Sequence, residues 1–370
     1  MKLNRKEFSQ AISAVSRFTN SRSPLTAMQC LHLEAKDSSL RIRGYGTYGS
    51  ASIALPCTGR LNSIVPAALL CKTVDLLVDD EIELSENKNK LSVSGSISST
   101  DVPIQAVSIE PSIGSPGAKI TSVAKDVMRC IEVANVVGSN VEMKYANGVR
   151  ICTSDGKLHF SSATSKNSAF AWCNHSSGDI DVVIARGGIS ALSKMLSLMD
   201  DLTIEDRGSH VAFYSGTRAA ILLKEQDGKK PNRYDKIKHM WDGAHKWRVS
   251  LSDLREFVRL AMANSTPEAS GVWLKPTPSG LTCKYTGISD GTYSVDLSVE
   301  ATCETHVSGG SCEGKDAYIS CRQLSPAVTA LEGDEFVINA VDGHALIFET
   351  PDAVIGLAQL NLPIKDQASG

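Results

Sequence analysis

The sequence predicts an α+β protein built from a repeated unit of strands and one amphipathic helix. Three observations lead to this fold class. Short alternating strands flank a polar turn six times, a helical stretch with one apolar face accompanies each strand pair, and the turns recur at a regular interval. From Asp37 to Asp342 there are five steps of about 61 residues. A repeat of this length indicates an architecture produced by duplication.

Alternation of apolar and polar residues marks the strand pairs, as in LHLEAKDSSLRIRG of the first repeat and VRICTSDGKLHFSS of the third. Asp, Asn, Ser and Gly separate the two strands of each pair, because these residues tolerate the backbone angles of tight hairpins. The predicted turns lie at residues 36–39, 87–89, 154–156, 206–208, 278–280 and 342–344.

The helices show apolar residues at the helical period on one face only, which is enough to cover one side of a sheet. Pro66 suits the first turn of the second helix, and Ser250 or Ser252 would cap the fifth. We predict helices over residues 4–18, 66–77, 122–136, 185–199, 251–263 and 321–331.

Two stretches rich in proline, glycine and lysine interrupt the repeats. Residues 111–119 read PSIGSPGAK, and residues 226–246 form a longer, basic segment. With a length of 370 residues, they predict three domains over residues 1–118, 119–243 and 244–370, each with two helices on one face of a sheet.

Composition excludes several classes of protein. With 42% hydrophobic residues and a net charge of −3, the chain is neither disordered nor uniformly basic. The N-terminal residues lack the apolar run of a secretory signal, and no apolar stretch is long enough to span a bilayer. We therefore expect a cytoplasmic protein without a membrane partner.

The cysteines predict neither disulfides nor a metal site. No pair has the C-x-x-C spacing, and most stand in apolar runs, where a thiol is a small core side chain. Cys303, His306, Cys312 and Cys321 have the residue types of a zinc site, but their spacing matches no common one. We expect no metal and no cofactor.

No motif of a phosphate-binding loop, dinucleotide site, zinc protease or nucleophile elbow occurs. The acidic runs Asp79-Asp80-Glu81 and Asp200-Asp201 follow a helix at equivalent places in two repeats, which is typical of turn residues rather than metal ligands. An enzyme on an unrelated repeated frame stays open as an alternative, but no catalytic group can be named for it.

Segments in all three predicted domains carry a resemblance to a known family. The first domain contains SPLTAMQCLHLEAKDSSLRIRGYGT and IVPAALLCKTVDLLVDDEIELSENKNKLSVSG, the second KYANGVRI, DGKLHFSSAT and IARGGISALSKML, and the third VSLSDLREFV, GVWLK and AQLNLPI. In this order they resemble the bacterial sliding clamp, the beta subunit of DNA polymerase III. The resemblance covers nearly the whole chain. A diverged or phage-encoded member of the family would also fit it.

The resemblance implies a three-domain DNA clamp in which each domain holds two β-α-β-β-β repeats. Two chains would form a homodimeric ring with helices lining the hole. Such a ring is a non-catalytic processivity factor of DNA replication: it encircles double-stranded DNA without sequence preference, tethers the DNA polymerase and is opened by a clamp loader. The alternative is a clamp-fold binding scaffold that does not encircle DNA.

A ring of this kind needs helices that are more basic than the rest of the chain. Divided by predicted element, the charge of −3 becomes about +5 on the helices and about −8 elsewhere. A weakly basic lining suits sliding, because many close phosphate contacts would limit mobility. The predicted DNA-facing residues are Arg5, Lys6, Arg17, Arg22, Lys72, Lys125, Arg129, Arg186, Lys194, Arg255, Arg259 and Arg322.

The resemblance also implies a groove between the second and third domains that binds partner peptides, although LNLPI is alternatively an ordinary final strand. Two departures leave the peptide preference open: Met143 stands where the family has a basic residue, and residues 164–169 keep only the threonine of the family's loop. By position the groove would draw on Tyr145, Thr164, Pro231, Lys236, Ile237, Leu360, Leu362, Pro363 and Ile364.

The resemblance places the subunit interface between an edge strand of the first domain, near residues 101–108, and an edge of the third domain. By position, Met262 and Ala263 would supply its apolar part.

Overall fold

The computed structural model describes residues 1–107, 114–137, 148–164, 166–176, 178–225, 230–232, 234, 245–263, 265, 271–277, 280–285, 301–303, 305–307, 317–341 and 345–359. Two compact units divide the chain. The first contains residues 1–128, 150–158 and 174–227, and the second contains residues 129–149, 159–173 and 228–370. Each is described by itself, and the three-domain division stays a prediction.

The predicted repeat is present in the order of the elements: a strand, a helix and three strands follow one another throughout. The first repeat comprises β1 (Lys2–Asn4), α1 (Arg5–Ser16), β2 (Cys30–Lys36), β3 (Ser39–Gly46) and β4 (Gly49–Pro56). The second comprises β5 (Leu61–Pro66), α2 (Ala67–Leu76), β6 (Glu81–Asn87), β7 (Lys90–Ser94) and β8 (Ser99–Pro103). The third comprises β9 (Lys119–Val123), α3 (Ala124–Asn135), β10 (Gly148–Ser154), β11 (Lys157–Ala163) and β12 (Ser168–Asn174).

The remaining repeats follow the same order, with one additional short strand in the fifth. The fourth comprises β13 (Asp181–Ala185), α4 (Ile189–Leu196), β14 (Asp201–Arg207), β15 (His210–Ser215) and β16 (Arg218–Leu223). The fifth comprises β17 (His245–Ser250), α5 (Leu251–Ala263), β18 (Gly271–Thr277), β19 (Gly280–Tyr285), β20 (Ala301–Cys303) and β21 (Thr305–Val307). The sixth comprises β22 (Ala317–Ser320), α6 (Cys321–Ala330), β23 (Glu335–Val341), β24 (Ala345–Thr350) and β25 (Ala353–Ala358).

All six predicted helices are confirmed, and five of them end within two residues of the predicted bounds. The exception is α4, because Arg186–Gly188 form a 3₁₀ turn before the helix begins. Two successive glycines disfavour a regular helical start at this point. Among the described residues, no helix is long and apolar enough to cross a membrane.

Three of the predicted hairpin turns, at 36–39, 87–89 and 154–156, agree with the structure, and a fourth lies later than predicted. Asp37 and Ser38 both have positive φ (53° and 64°), as do Asp155 and Gly156 (50° and 71°), which is the geometry of a tight two-residue hairpin. The turn predicted at 206–208 was placed too early, because Arg207 still pairs with His210 in the ladder of β14 and β15. The turns at 278–280 and 342–344 fall wholly or mostly outside the described residues.

Most strands of the first unit form two antiparallel sheets. One has eight strands in the order β5-β2-β3-β4-β16-β15-β14-β9, and the other has four in the order β1-β6-β7-β8. The first and second repeats exchange their first strands. β1 of the first repeat pairs with β6 of the second, and β5 of the second repeat pairs with β2 of the first. The last strands of the first and fourth repeats, β4 and β16, pair with each other.

The second unit has the same pattern. Its strands run in the orders β12-β25-β24-β23-β17-β21 and β20-β19-β18-β22. Again a first strand joins the neighbouring repeat, since β17 pairs with β23 and β22 pairs with β18. The last strands of the third and sixth repeats, β12 and β25, pair with each other.

One backbone hydrogen bond recurs at the start of three helices. The N–H of Arg5 donates to the carbonyl of Asp80 at 2.8 Å, Ala124 to Asp200 at 2.8 Å, and Leu251 to Asp334 at 2.9 Å. Each acceptor lies after the helix of the neighbouring repeat, just before a strand. The interpretation of Asp80 and Asp200 as turn residues is therefore confirmed.

Candidate nucleic-acid and partner interfaces

The first helix illustrates how the cations are presented. The Asn4 side chain caps α1 by accepting the N–H of Glu7 at 3.0 Å. Phe8, Ile12 and Val15 form the buried stripe of the helix. Lys6 and Arg17 are exposed and lie roughly opposite that stripe at about 100° of rotation per residue. The sheet therefore holds one face of the helix and leaves the basic face outward.

The same arrangement is found on all six helices. An exposed basic side chain lies roughly opposite the buried stripe of each helix, and Arg22 is exposed in the turn after α1. None of these side chains forms an ion pair with a described residue. The outward cations are Lys6, Arg17, Arg22, Lys72, Lys125, Lys194, Arg259 and Arg322. They form a set of exposed positive charges without ion pairs to described residues.

Two of the predicted DNA-facing arginines donate hydrogen bonds to backbone carbonyls. The Nε of Arg5 donates to the carbonyl of Asp79 at 2.7 Å, just beyond the end of α2. Arg255 donates from Nε to the carbonyl of Val328 at 3.1 Å and from Nη2 to that of Leu331, at the end of α6. A guanidinium at a helix C-terminus satisfies carbonyls that have no partner within the helix, and it also interacts favourably with the helix dipole.

Two further arginines are withdrawn from solvent. Arg129 forms an ion pair with Asp352, and both belong to the second unit. Arg186 lies in the 3₁₀ turn before α4, where burial lowers the pKa of its guanidinium. The structure therefore divides the twelve predicted cations into eight that face outward and four with structural contacts or burial.

Acidic side chains moderate the basic faces. Glu132 and Glu256 are exposed on α3 and α5. Partial desolvation beside the neighbouring elements, followed by repulsion from Glu332, raises the pKa of the Glu132 carboxyl although the residue is exposed. The excess of positive charge on the helices is therefore small, as the charge division predicts.

Only part of the predicted peptide groove lies within the described residues. The hydroxyl of Thr164 accepts the backbone N–H groups of Lys166 at 3.2 Å and Asn167 at 2.9 Å, so it closes the turn between β11 and β12. The Asn167 amide oxygen in turn accepts the N–H of Ala358 at 3.0 Å. Pro231 is buried. Tyr145, Lys236, Ile237, Leu360, Leu362, Pro363 and Ile364 lie outside the described residues.

An aromatic cluster near Pro231 was missed by the sequence argument. Tyr234 stacks on Trp172, with ring centroids 5.6 Å apart and planes at 16°, and it also contacts Phe170 at 5.6 Å. Phe170 and Trp172 are two residues apart on β12 and so lie on one face of the strand. The alternation in SAFAWCN could have located two of the three members, but the contribution of Tyr234 depends on tertiary structure.

Exposed apolar residues cluster at the end of α5. Leu260 and Met262 are 40% and 37% exposed, and Ala263 is also exposed. Among the described residues, each four-stranded sheet has two end strands without a further neighbour: β1 and β8 in the first unit, and β20 and β22 in the second. Exposed sheet edges of this kind are available for pairing with another strand.

The cysteines with described side chains all carry free thiols. Hydrogen bonding to Cys173, together with burial, raises the pKa of Cys130 and keeps its thiol protonated. Across the described residues, no three His, Cys, Asp or Glu side chains converge in a way that would hold a metal ion. Cys312, one member of the weighed zinc group, lies outside the described residues.

No protein-family model and no curated protein sequence matches the chain. Solved structures do match it over nearly its full length. The beta subunit of DNA polymerase III from Thermotoga maritima is 15% identical with a TM-score of 0.81, covering 98% of this chain and 99% of that one. A sliding clamp from Bartonella birtlesii, bound to griselimycin, is 18% identical with a TM-score of 0.81 and the same coverage.

The DNA polymerase sliding clamp of Pseudomonas aeruginosa is also similar, at 16% identity and a TM-score of 0.79, covering 98% of this chain and 99% of that one. At such identities the likeness establishes the fold. The chain therefore has the fold of a DNA polymerase sliding clamp, as the resemblance in the sequence implies.

Proposed function

We propose that this protein is a DNA sliding clamp, a non-catalytic processivity factor that encircles double-stranded DNA and tethers a replicative polymerase. One observation carries the proposal: in a chain with the clamp fold, each of the six described helices presents an exposed cation, without an ion pair to a described residue, on the face opposite its sheet. Such cations attract phosphates without reading bases, so binding would be independent of sequence.

The free sheet edges support a ring of two chains. The last strands of four repeats pair within the chain, as β4 with β16 and β12 with β25. In the second and fifth repeats, β8 and β20 end their four-stranded sheets, whereas the short additional strand β21 pairs with β17. Pairing of β8 of one chain with β20 of a second, in both directions, would close a head-to-tail dimer of six domains. Met262 and Ala263 would contribute the apolar part of this interface.

The outward cations are proposed to line the hole, at distances from DNA that still permit sliding. Arg5, Arg129, Arg186 and Arg255 would act mainly by stabilising the fold, since their side chains are paired or withdrawn from solvent. Their earlier assignment as DNA-facing residues is therefore replaced in this proposal by a structural role.

Partner proteins would dock through short peptides in the groove that includes Thr164 and Pro231. The stacked Trp172 and Tyr234 lie in the same unit and are a natural apolar wall for such a peptide. A polymerase and an ATP-driven clamp loader are the expected partners. The site of action would be the cytoplasm of a bacterium, or of the host if the clamp is phage-encoded.

The decisive experiment measures retention on primed DNA after loading by a bacterial clamp loader. A ring held by topology stays on a circular template and slides off after a restriction enzyme linearises that template. Equal retention on both templates would exclude encirclement, whatever the affinity for DNA.

Loading by a heterologous loader could fail for reasons unrelated to the ring, so a second measurement is included. Sedimentation of the chain alone reports whether it forms a dimer. A clamp-fold scaffold would remain a monomer and would not stimulate a polymerase, whereas a clamp forms a dimer.

A further inference from the structure

The closed seam of the first unit joins two repeats through helices as well as strands. Strand β4 pairs with β16, while α1 contacts β4, α4 contacts β16, and the two helices contact each other. The seam therefore has a strand layer and a helix layer. In a ring where β8 of one chain pairs with β20 of a second, α2 and α5 take the corresponding places, because α2 contacts β8 and α5 contacts β20.

The two sides of α1 face two different helices. The Ser9 hydroxyl donates to the Asp75 carboxylate of α2 at 2.9 Å, so α2 lies on the Ser9 side. Ala14, five residues later, lies on the other side of the buried stripe and is 0% exposed. The side of α1 that faces away from α2 is therefore covered within the chain.

The corresponding residue of α5 is exposed. The backbone hydrogen bond that starts α1 also starts α5. When the two helices are aligned on it, Arg255 corresponds to Ser9, and it likewise reaches the neighbouring helix, α6. Leu260 corresponds to Ala14 and lies on the side away from α6, where it is 40% exposed. The same helix position is thus buried at the closed seam and exposed on the helix beside β20.

The outer side of α2 has the form of a hole for one apolar side chain. Asp75 marks the side of this helix that faces α1. Leu69 and Leu76 lie on the opposite side and are 39% and 72% exposed. With Lys72 and Thr73 they have the i, i+3, i+4, i+7 spacing that surrounds an inserted side chain where two helices pack.

Charges of opposite sign accompany the two surfaces. Asp253 and Glu256 are exposed and lie within about 60° of Leu260 around α5. Lys72, at the edge of the α2 hole, is also exposed. None of the three charged side chains has an ion pair with a described residue. The outer side of α2 is therefore basic and that of α5 acidic.

We infer that α2 of one chain packs against α5 of a second copy of this chain, with Leu260 inserted between Leu69 and Leu76. Lys72 then faces Glu256 across the seam, and its charge is compensated there. The inference rests on the proposed ring and adds a helix layer to its strand pairing. Contact of α2 with α2, or of α5 with α5, would bring like charges together, so the surfaces favour the head-to-tail arrangement.

The test measures the dimer dissociation constant of the full chain by sedimentation at several concentrations. Leu76→Lys removes an apolar contact and should weaken dimerisation about tenfold. Leu76→Glu removes the same contact and also repels Asp253 and Glu256, so it should weaken dimerisation by about a further fivefold.

A charge exchange tests the ionic part of the contact. Lys72→Glu alone should weaken dimerisation about fivefold, because it places two carboxylates opposite each other. Addition of Glu256→Lys to the same chain should restore the dimer, since each seam then has one charge of each sign again. Damage to the fold of either helix would not be repaired by the second substitution.

Leu25→Glu is the matched control, because Leu25 is 57% exposed and lies outside the six α-helices. It should leave the dimer constant unchanged, and equal weakening in this control would overturn the inference. A dimer that stays on circular DNA but is insensitive to both Leu76 substitutions, or is not restored by Glu256→Lys, overturns the inference alone.

Two further outcomes also count against the contact. If Leu76→Glu forms a normal dimer yet no longer stimulates a polymerase, this surface serves another partner and the inference is overturned. If the unaltered chain stays monomeric, the proposed ring is overturned and the helix contact with it. Measurement of dimerisation and of retention on circular DNA therefore distinguishes a failure of the helix layer from a failure of the clamp function.

Discussion

The last strands of the repeats differ in how their edges are satisfied. In the first unit β4 pairs with β16 over five residue pairs, from Arg218 opposite Ile53 to Leu222 opposite Gly49. In the same unit β8 has the same position in its repeat, yet among the described residues it pairs only with β7 and ends its sheet. Strands at equivalent positions can therefore pair along both edges within the chain, or keep one edge available for pairing with another molecule.

The helix cations show the same difference. Arg255 binds the carbonyls at the end of α6, whereas Arg259, one turn further along α5, is exposed and has no ion pair with a described residue. A group satisfied inside the chain contributes to its stability. A group left outward contributes to association with a partner. Substitutions at the first kind of position should consequently change the free energy of unfolding. Substitutions at the second kind should change the affinity for a second chain or for DNA.

The largest effect is expected at the closed seam between β4 and β16. Gly49 has a φ of +154°, and a Cβ atom there would lie 2.0 Å from the carbonyl oxygen of Ile221. Gly49→Val should lower the free energy of unfolding by about 3 kcal/mol, through backbone strain and loss of strand pairing. Urea unfolding followed by circular dichroism measures this loss.

Gly208→Asn is the control for that substitution. Gly208 also has positive φ, at +66°, but no atom lies within 4 Å of the added Cβ, and asparagine tolerates this conformation. A loss in the control as large as that of Gly49→Val would show that the close approach of the two strands is not the cause.

The second effect is expected at the exposed end of α5. Met262→Glu places a charge on the proposed subunit interface and should weaken dimerisation by about 30-fold, or about 2 kcal/mol. The unfolding of the chain should be unchanged, because Met262 is 37% exposed. Sedimentation at several concentrations measures the dimer constant. Val123→Glu, at a residue that is 50% exposed on β9, should leave dimerisation intact.

The third effect separates two arginines of one helix. Arg255→Gln removes the donors to the carbonyls of Val328 and Leu331 and should lower the free energy of unfolding by about 1–2 kcal/mol. Arg259→Gln should lower it by less than about 0.5 kcal/mol, since surface substitutions away from such contacts have little effect. Equal losses in thermal unfolding would mean that the two arginines do not differ in role.

The smallest effect is expected from a single outward cation. Arg17→Gln should reduce the slope of DNA affinity against salt concentration by about one unit, because one phosphate contact is lost. The measurement is a salt titration of DNA binding to the dimer. Arg60→Gln, at an exposed arginine outside the helices, should keep the original slope. An unchanged slope in Arg17→Gln would place Arg17 away from DNA.

Much of the fold could be predicted because its signals are local. Phe8, Ile12 and Val15 repeat at the helical period, and the hairpin at Asp155-Gly156 needs only residues that accept positive φ. Because two glycines precede α4, that helix begins later than predicted. Strand β14 continues through Asp206 and Arg207, because strand pairing outweighs the turn preference of those residues. Such errors at element ends arise where tertiary contacts compete with local preference.

The candidate site was only partly predictable. The sequence alone determined that each helix has an apolar face and carries basic residues, because the periodicity of side chains follows from the geometry of one helix. Only the tertiary structure decided that Arg5 and Arg255 hold carbonyls 74 and 73 residues away. It also decided that β4 has a second partner strand, β16, while β8 has none in the described part of the chain. These outcomes depend on partners distant in the chain, and no local pattern encodes where folding will place them.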